Sequence, residues 1–200
     1  MKKIIGLFLC MCLIFSFVGC SQEENENDVK TLDLEYYAEL GQMPEAEYTL
    51  GADVDTIVKE QTAKMEDFLN NQEEDPNHAH GHEEEMFYFE CIEGDKNVLL
   101  DNGDICYYYN KANKEKGVSY IVNYGDAFGI KLGTLITEVK EMCADVEFKE
   151  ETLNEENAFF ATQGFDGTVL SADFDGTVIL FVFQENALSA TAIYNGNWSN

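Results

Sequence analysis

Arginine is missing from this chain altogether, and all 12 basic residues are lysines. Without a guanidinium there is no rigid fork to clamp a phosphate or carboxylate through two parallel hydrogen bonds. Against the lysines stand 39 acidic residues, for a formal net charge of −27 at pH 7. Such a field repels nucleic acid and anionic headgroups, so nucleic-acid binding is excluded. A membrane-spanning run is lacking too. A helix needs about 20 apolar residues to cross the hydrocarbon core, and the N-terminal run Ile4 to Val18 has 15. There is no Gly-x-Ser-x-Gly elbow, no phosphate-binding loop and no histidine placed on a regular element. Phe-Asp-Gly-Thr-Val occurs twice, at 165–169 and 174–178. The alternating oxygen ligands and closing Glu of a calcium loop do not follow either copy, so both Asp-Gly pairs read as turns. The expectation is a protein that is not an enzyme.

What is present at the N-terminus is an address. Met1-Lys2-Lys3 is a short positive segment, and the 15-residue apolar run behind it has the length of a signal-peptide core. The run closes on Phe17-Val18-Gly19-Cys20, which resembles the lipobox of bacterial lipoproteins. The resemblance implies a signal peptide over 1–19 and diacylglycerol on the Cys20 thiol. It places the protein in the cell envelope, on the outer face of the cytoplasmic membrane, or on the outer membrane in a host that has one. Two acyl chains on one cysteine anchor stably where a single chain binds only marginally. Cleavage removes Lys2 and Lys3 and no acidic residue, so the mature chain is more acidic still. The plain meaning of that charge is solubility and stand-off from the membrane surface, and the sharper one is a basic partner or a cation.

Residues 20–31 are polar and acidic with no apolar face to bury, and they read as a flexible tether. From Ala52 the pattern turns helical, with Val54, Ile57, Val58, Met65, Phe68 and Leu69 on one stripe and Asp53 or Asp55 as cap. Asn70 to Glu85 is polar and reads as a loop. Short β-type runs then follow: MFYFECI, NVLL, ICYYY and VSYIVNY, separated by turn-forming stretches. A second helix is expected where Thr134 precedes the stripe Leu135, Ile136, Val139, Met142 and Cys143. A polar stretch to Glu156 leads to four more strand-like runs: AFFATQ, TVLSADF, TVILFVF and ALSATAIY. Three cysteines lie in this folded part. An odd number leaves at least one thiol free or bonded to another chain. For Cys91 and Cys106 two readings stand, a cross-strand disulfide or buried thiols packed as small hydrophobes.

One helix followed by four strands thus occurs twice, as units over 32–124 and 125–200. Leu50-Gly51 matches Leu132-Gly133, which sets Ile57 on Val139, while Tyr107 falls on Phe181 and Asn110 on Gln184. With Leu-Gly and a Val-Lys-Glu helix opening each unit, the chain resembles the β-lactamase-inhibitor-protein-like fold shared by small envelope lipoproteins of the SmpA/OmlA type. The resemblance implies an α+β fold: an antiparallel sheet with helices on one face and the other face free for a protein partner.

All three histidines lie within five residues, His78, His80 and His82, beside Asp75 and Glu83-Glu84-Glu85. Neutral imidazoles with carboxylates suit zinc or nickel, while the plain alternative is a solvated insertion. Tyr88, Tyr107, Tyr108, Tyr109, Tyr120 and Tyr124 crowd the first strand set. In MFYFECI the alternation puts Phe87 and Phe89 on one face and Tyr88 on the other, where a tyrosine suits recognition; ordinary core and half-buried packing is the other reading of these tyrosines. The expected function is a membrane-anchored, non-catalytic binding or scaffolding module for a protein or peptide partner. The alternative is a metal-capturing lipoprotein that uses His78, His80 and His82. No cofactor is expected beyond such a zinc or nickel ion.

Overall fold

Every strand pairing in the sheet is antiparallel, and the eight strands run in the order β1-β2-β3-β4-β8-β7-β6-β5. The computed structural model describes residues 32–73, 90–93, 97–161, 164 and 166–196, all within one compact unit, Thr31–Asn200. The strands are β1 (Glu90–Glu93), β2 (Asn97–Asp101), β3 (Ile105–Asn110), β4 (Tyr120–Asn123), β5 (Lys149–Thr152), β6 (Thr168–Phe174), β7 (Thr177–Gln184) and β8 (Ala187–Asn195). The helices are α1 (Leu34–Leu40), α2 (Val54–Glu73) and α3 (Ile136–Met142), with a 3₁₀ helix over Lys111–Lys116 between β3 and β4. The architecture is α+β, as the spacing of apolar runs predicts. Two four-stranded meanders meet where β4 pairs with β8.

Local chemistry accounts for the hairpins. Asp175 and Gly176 both have positive φ (51° and 93°), the geometry a two-residue turn needs to match strand twist. Glu185 and Asn186 (51° and 67°) do the same between β7 and β8. Asp166-Gly167 is not a hairpin turn. A Cβ on Gly167 would sit 2.1 Å from the Phe183 carbonyl oxygen, so glycine is required there for close backbone approach.

The two Leu-Gly pairs occupy matching places. Gly51 N–H donates to the Val118 carbonyl (2.7 Å), and Val118 N–H donates back to Ala52 (2.9 Å). Gly133 N–H donates to Leu188 (2.8 Å), and Leu188 N–H donates back to Thr134 (2.9 Å). Both glycines have positive φ, and Ile57 and Val139 are both buried a turn or so later. Each helix is therefore tied by its entry turn to the start of the last strand of a meander.

Several expectations need correction. The Asp53 carboxylate does cap α2, accepting from Thr56 N–H at 2.7 Å. Yet among the described side chains of the helix only Val54, Ile57 and Gln61 are buried, and Val58, Met65 and Leu69 are exposed. The helix also runs to Glu73, into the stretch expected as loop. Thr134 does not cap α3. Leu135 holds that place, and the Glu138 carboxylate accepts its N–H at 3.1 Å. Residues 158–161, the described part of AFFATQ, are not in a strand. The fifth strand is the polar Lys149–Thr152, an edge strand with no apolar face to bury. Cys91 and Cys106 do not face one another, because β2 lies between their strands. Two interstrand steps are about 9.6 Å, beyond the roughly 7 Å Cα separation a disulfide spans. Cys106 and Cys143 are free, buried thiols.

The largest correction concerns the sheet face away from the helices. Leu34, Ile57, Tyr107, Ile121, Val139, Phe181 and Ile193 build the core beneath the helices. A second buried cluster sits on the opposite face: Tyr120, Val122, Leu153, Phe160, Val182 and Ala192 among others. That face is not free at its centre. The chain from Leu153 to Ala161 covers it.

Candidate functional site

Strand alternation decides which aromatics reach the covered face. In β3, Tyr107 and Tyr109 point to the helix core while Cys106 and Tyr108 point away from it. In β4 and β8 the same parity sends Tyr120, Val122, Ala190, Ala192 and Tyr194 to that side. The small Ala190 and Ala192 leave room for Leu153 and Phe160 from the covering segment. The segment is held by its own asparagines. Asn154 Oδ1 accepts from Glu156 N–H (2.8 Å) and Asn157 N–H (3.1 Å), and Asn157 Oδ1 accepts from Asn154 N–H (2.9 Å). Tyr124 latches it to the sheet by donating its hydroxyl to the Phe160 carbonyl at 2.8 Å.

The aromatics meet edge to face and in a stack. Tyr120 and Tyr194 are parallel at 4.5 Å, and Phe159 stands edge-on to Tyr108 (5.5 Å) and Tyr120 (5.4 Å). Burial pushes the Tyr120 hydroxyl far above its usual range and Tyr124 up to about 12. Tyr108, raised first by desolvation, donates toward Tyr124. These phenols stay neutral at any physiological pH. Tyr120 is 2% exposed, whereas Phe159 and Tyr194 are half-buried, so part of each of those rings reaches solvent. Between them opens a cleft of about 330 Å³ with Tyr120, Tyr194 and Phe159 as walls and Glu155, Glu156 and Asn157 as rim.

A second cleft, of about 370 Å³, lies where the end of α1 and Gly51 face the 3₁₀ helix, with Asn113, Lys116 and Ser119 on its wall. Below α2, Gln61 is buried and donates through Nε2 to Glu47 (2.9 Å) and the Tyr48 hydroxyl (2.7 Å). Glu47 in turn pairs with Lys64, and its N–H donates to the Tyr107 hydroxyl at 3.0 Å. This knot fastens the 41–50 loop to α2 and β3.

Neither described thiol is poised for chemistry. Desolvation, aided by Asp101, raises Cys106 to about 12, and desolvation raises Cys143 to about 11, so thiolate is scarce at neutral pH. Among the described residues no group of three or more His, Cys, Asp or Glu could hold a metal ion, and no helix is long and apolar enough to cross a membrane. Cys20, His78, His80, His82 and Tyr88 lie outside the described residues. Of the other expected tyrosines, Tyr108, Tyr120 and Tyr124 come together on the covered face, while Tyr107 and Tyr109 belong to the helix core. Sequence reasoning missed Phe159, Glu155, Glu156 and Tyr194. The signal was present in the doubled Phe of AFFATQ, whose aromatic content also suits a strand.

No protein-family model matches the chain, and no curated protein does. A solved structure similar to it is that of a DUF4309 family protein, YjgB, from Bacillus subtilis. The identity is 14%, the match covers 84% of this chain and 95% of that one, and the TM-score is 0.41. The likeness carries no information about activity.

Proposed function

We propose that the protein is an extracytoplasmic lipoprotein, anchored through lipid on Cys20, whose folded part is a non-catalytic binding or scaffolding module for a protein or peptide. The observation that carries the binding reading is the aromatic cleft. Rings that could have been buried whole are left half-exposed beside a rim of carboxylates, on a loop fixed by its own hydrogen bonds. Large aromatic area on a preorganised surface is what recognition sites use. The tandem arrangement resembling β-lactamase-inhibitor-like lipoproteins belongs to the same proposal, and the matching Leu-Gly ties support it. A photo-crosslinking residue at position 159, in the lipidated protein in its native membrane, tests the reading. It should capture a discrete partner that the same residue at Glu141, on α3, does not. Equal capture from both positions, or none from either, overturns it. For the anchor, Cys20→Ala should abolish incorporation of a fatty-acid analogue, and equal labelling of the variant would sink it.

The second reading, metal capture, is favoured by the clustering of all three histidines in His78, His80 and His82. Ligation needs neutral imidazole, so affinity for zinc or nickel should fall below about pH 6.5. Calorimetry with the triple alanine variant decides it, since unchanged heats of binding would end the idea.

A further inference from the structure

The cleft on the covered face has a chemical bias that goes beyond being aromatic. Among the described residues no basic one lines it, and Glu155 and Glu156 stand exposed on its rim without an ion pair to any of them. Two further carboxylates, Asp173 of β6 and Glu151 of β5, lie close enough to Tyr194 to oppose ionisation of its phenol, after the larger effect of burial. Glu151 is partly neutralised by Lys149 at 2.8 Å, and Asp173 is occupied in accepting the Gly176 N–H at 2.8 Å. Glu155 and Glu156 thus line the cleft, and Asp173 and Glu151 add negative potential at Tyr194. An aromatic face attracts a cation through its quadrupole, and an aliphatic stem packs against the ring while the charged head reaches the rim. An anionic ligand would be repelled by the carboxylates, and a neutral one would gain the ring contact but no counter-charge.

We infer that the cleft walled by Tyr120, Tyr194 and Phe159 takes a cationic side chain, lysine or arginine, presented by a basic peptide, with Glu155 and Glu156 as counter-charges. The inference rests on the binding-module reading and names the partner's chemistry. The chain's net charge of −27 draws such a peptide in, and the cleft supplies the place where one side chain docks. The turn that carries both glutamates is set by the Asn154 and Asn157 hydrogen bonds, so little ordering is left to be done on binding.

The test uses the full lipidated chain in vesicles of neutral phosphatidylcholine and a fluorescent peptide of alternating glycine and lysine, read by anisotropy. Four results are expected. The same peptide with every lysine acetylated should bind at least about 10-fold more weakly. The exposed pair Glu155→Gln/Glu156→Gln should lose about 10-fold, and Phe159→Leu several-fold. A control that removes two exposed charges from the helices, Glu35→Gln/Glu141→Gln, should stay within about 2-fold. Equal loss in the control and the cleft pair overturns the inference in favour of diffuse charge attraction. Equal binding of the acetylated peptide also overturns it while leaving a peptide-binding module standing. Binding of neither peptide overturns it as well, and the crosslink at position 159 then decides the broader reading independently.

Discussion

Gly117 is a residue whose replacement the fold tolerates poorly. Its φ of 73° and ψ of −158° lie in a region essentially reserved for glycine, and an added Cβ would meet the Ala52 carbonyl oxygen at 2.4 Å. That carbonyl accepts the Val118 N–H, so a side chain here would push apart the tie that holds the entry of α2 to the sheet. Gly117→Ala should cost roughly 3 kcal/mol or more, a drop of about 6–12 °C in thermal midpoint for a domain of this size. Gly103→Ala, also at positive φ but with open space around it, should cost clearly less. Reversal of that order in thermal melts would contradict the geometry. The two buried thiols give a separate test. With Cys106 raised to about 12 and Cys143 to about 11, alkylation of both at pH 8 should be at least about 100-fold slower in the folded protein than in denaturant. Peptide mass spectrometry after a timed iodoacetamide pulse measures this site by site.

The segment from Leu153 to Ala161 is the element that most changes the picture of the sheet. Phe160 is 2% exposed beneath it, so Phe160→Ala should cost about 3–5 kcal/mol, while the half-buried Phe159→Ala should cost less. Urea titrations of the two variants check the order. This segment also shows why the sequence could be read only in part. Seven of the eight strands lie where apolar runs and turn residues point, and the Leu-Gly turns recur as the spacing implies. The eighth was misplaced for a physical reason. A short aromatic run looks the same whether it pairs into a sheet or lies across one, because in both cases it is being buried. Lys149–Thr152 gave no such signal, since an edge strand with both faces wet has no alternation to display. The cleft was illegible for the same reason. It is made where Phe159 and the turn at Glu155 come back over Tyr120 and Tyr194, a meeting that local pattern does not encode.

Taken as a whole, the molecule keeps many titratable groups neutral on the inside. Thiols that ordinarily ionise near 9.0 and phenols near 10.0 are raised, with Cys143 at about 11 and Cys106, Tyr107 and Tyr124 at about 12. An unfolded chain releases these protons first as pH rises, so the stability they represent is intact below about pH 9 and drains away toward pH 12. Urea midpoints should hold steady from pH 7 to 9 and fall steeply above 10. A flat profile to pH 11.5 would mean these groups are far less desolvated than described. The joining of the two meanders bears on how the chain comes to be built. β8 pairs with β7 on one side and with β4 on the other, so a single strand completes both halves. While the chain emerges from a ribosome, everything up to Gln184 can be present and the sheet still has two bare edges side by side. Only when Ala187–Asn195 arrives do they close, in one step, with Tyr120 opposite Tyr194 on one side and Val178 opposite Tyr194 on the other. Chains halted or clipped before that strand would carry two unpaired β-edges, open to pairing with their own copies.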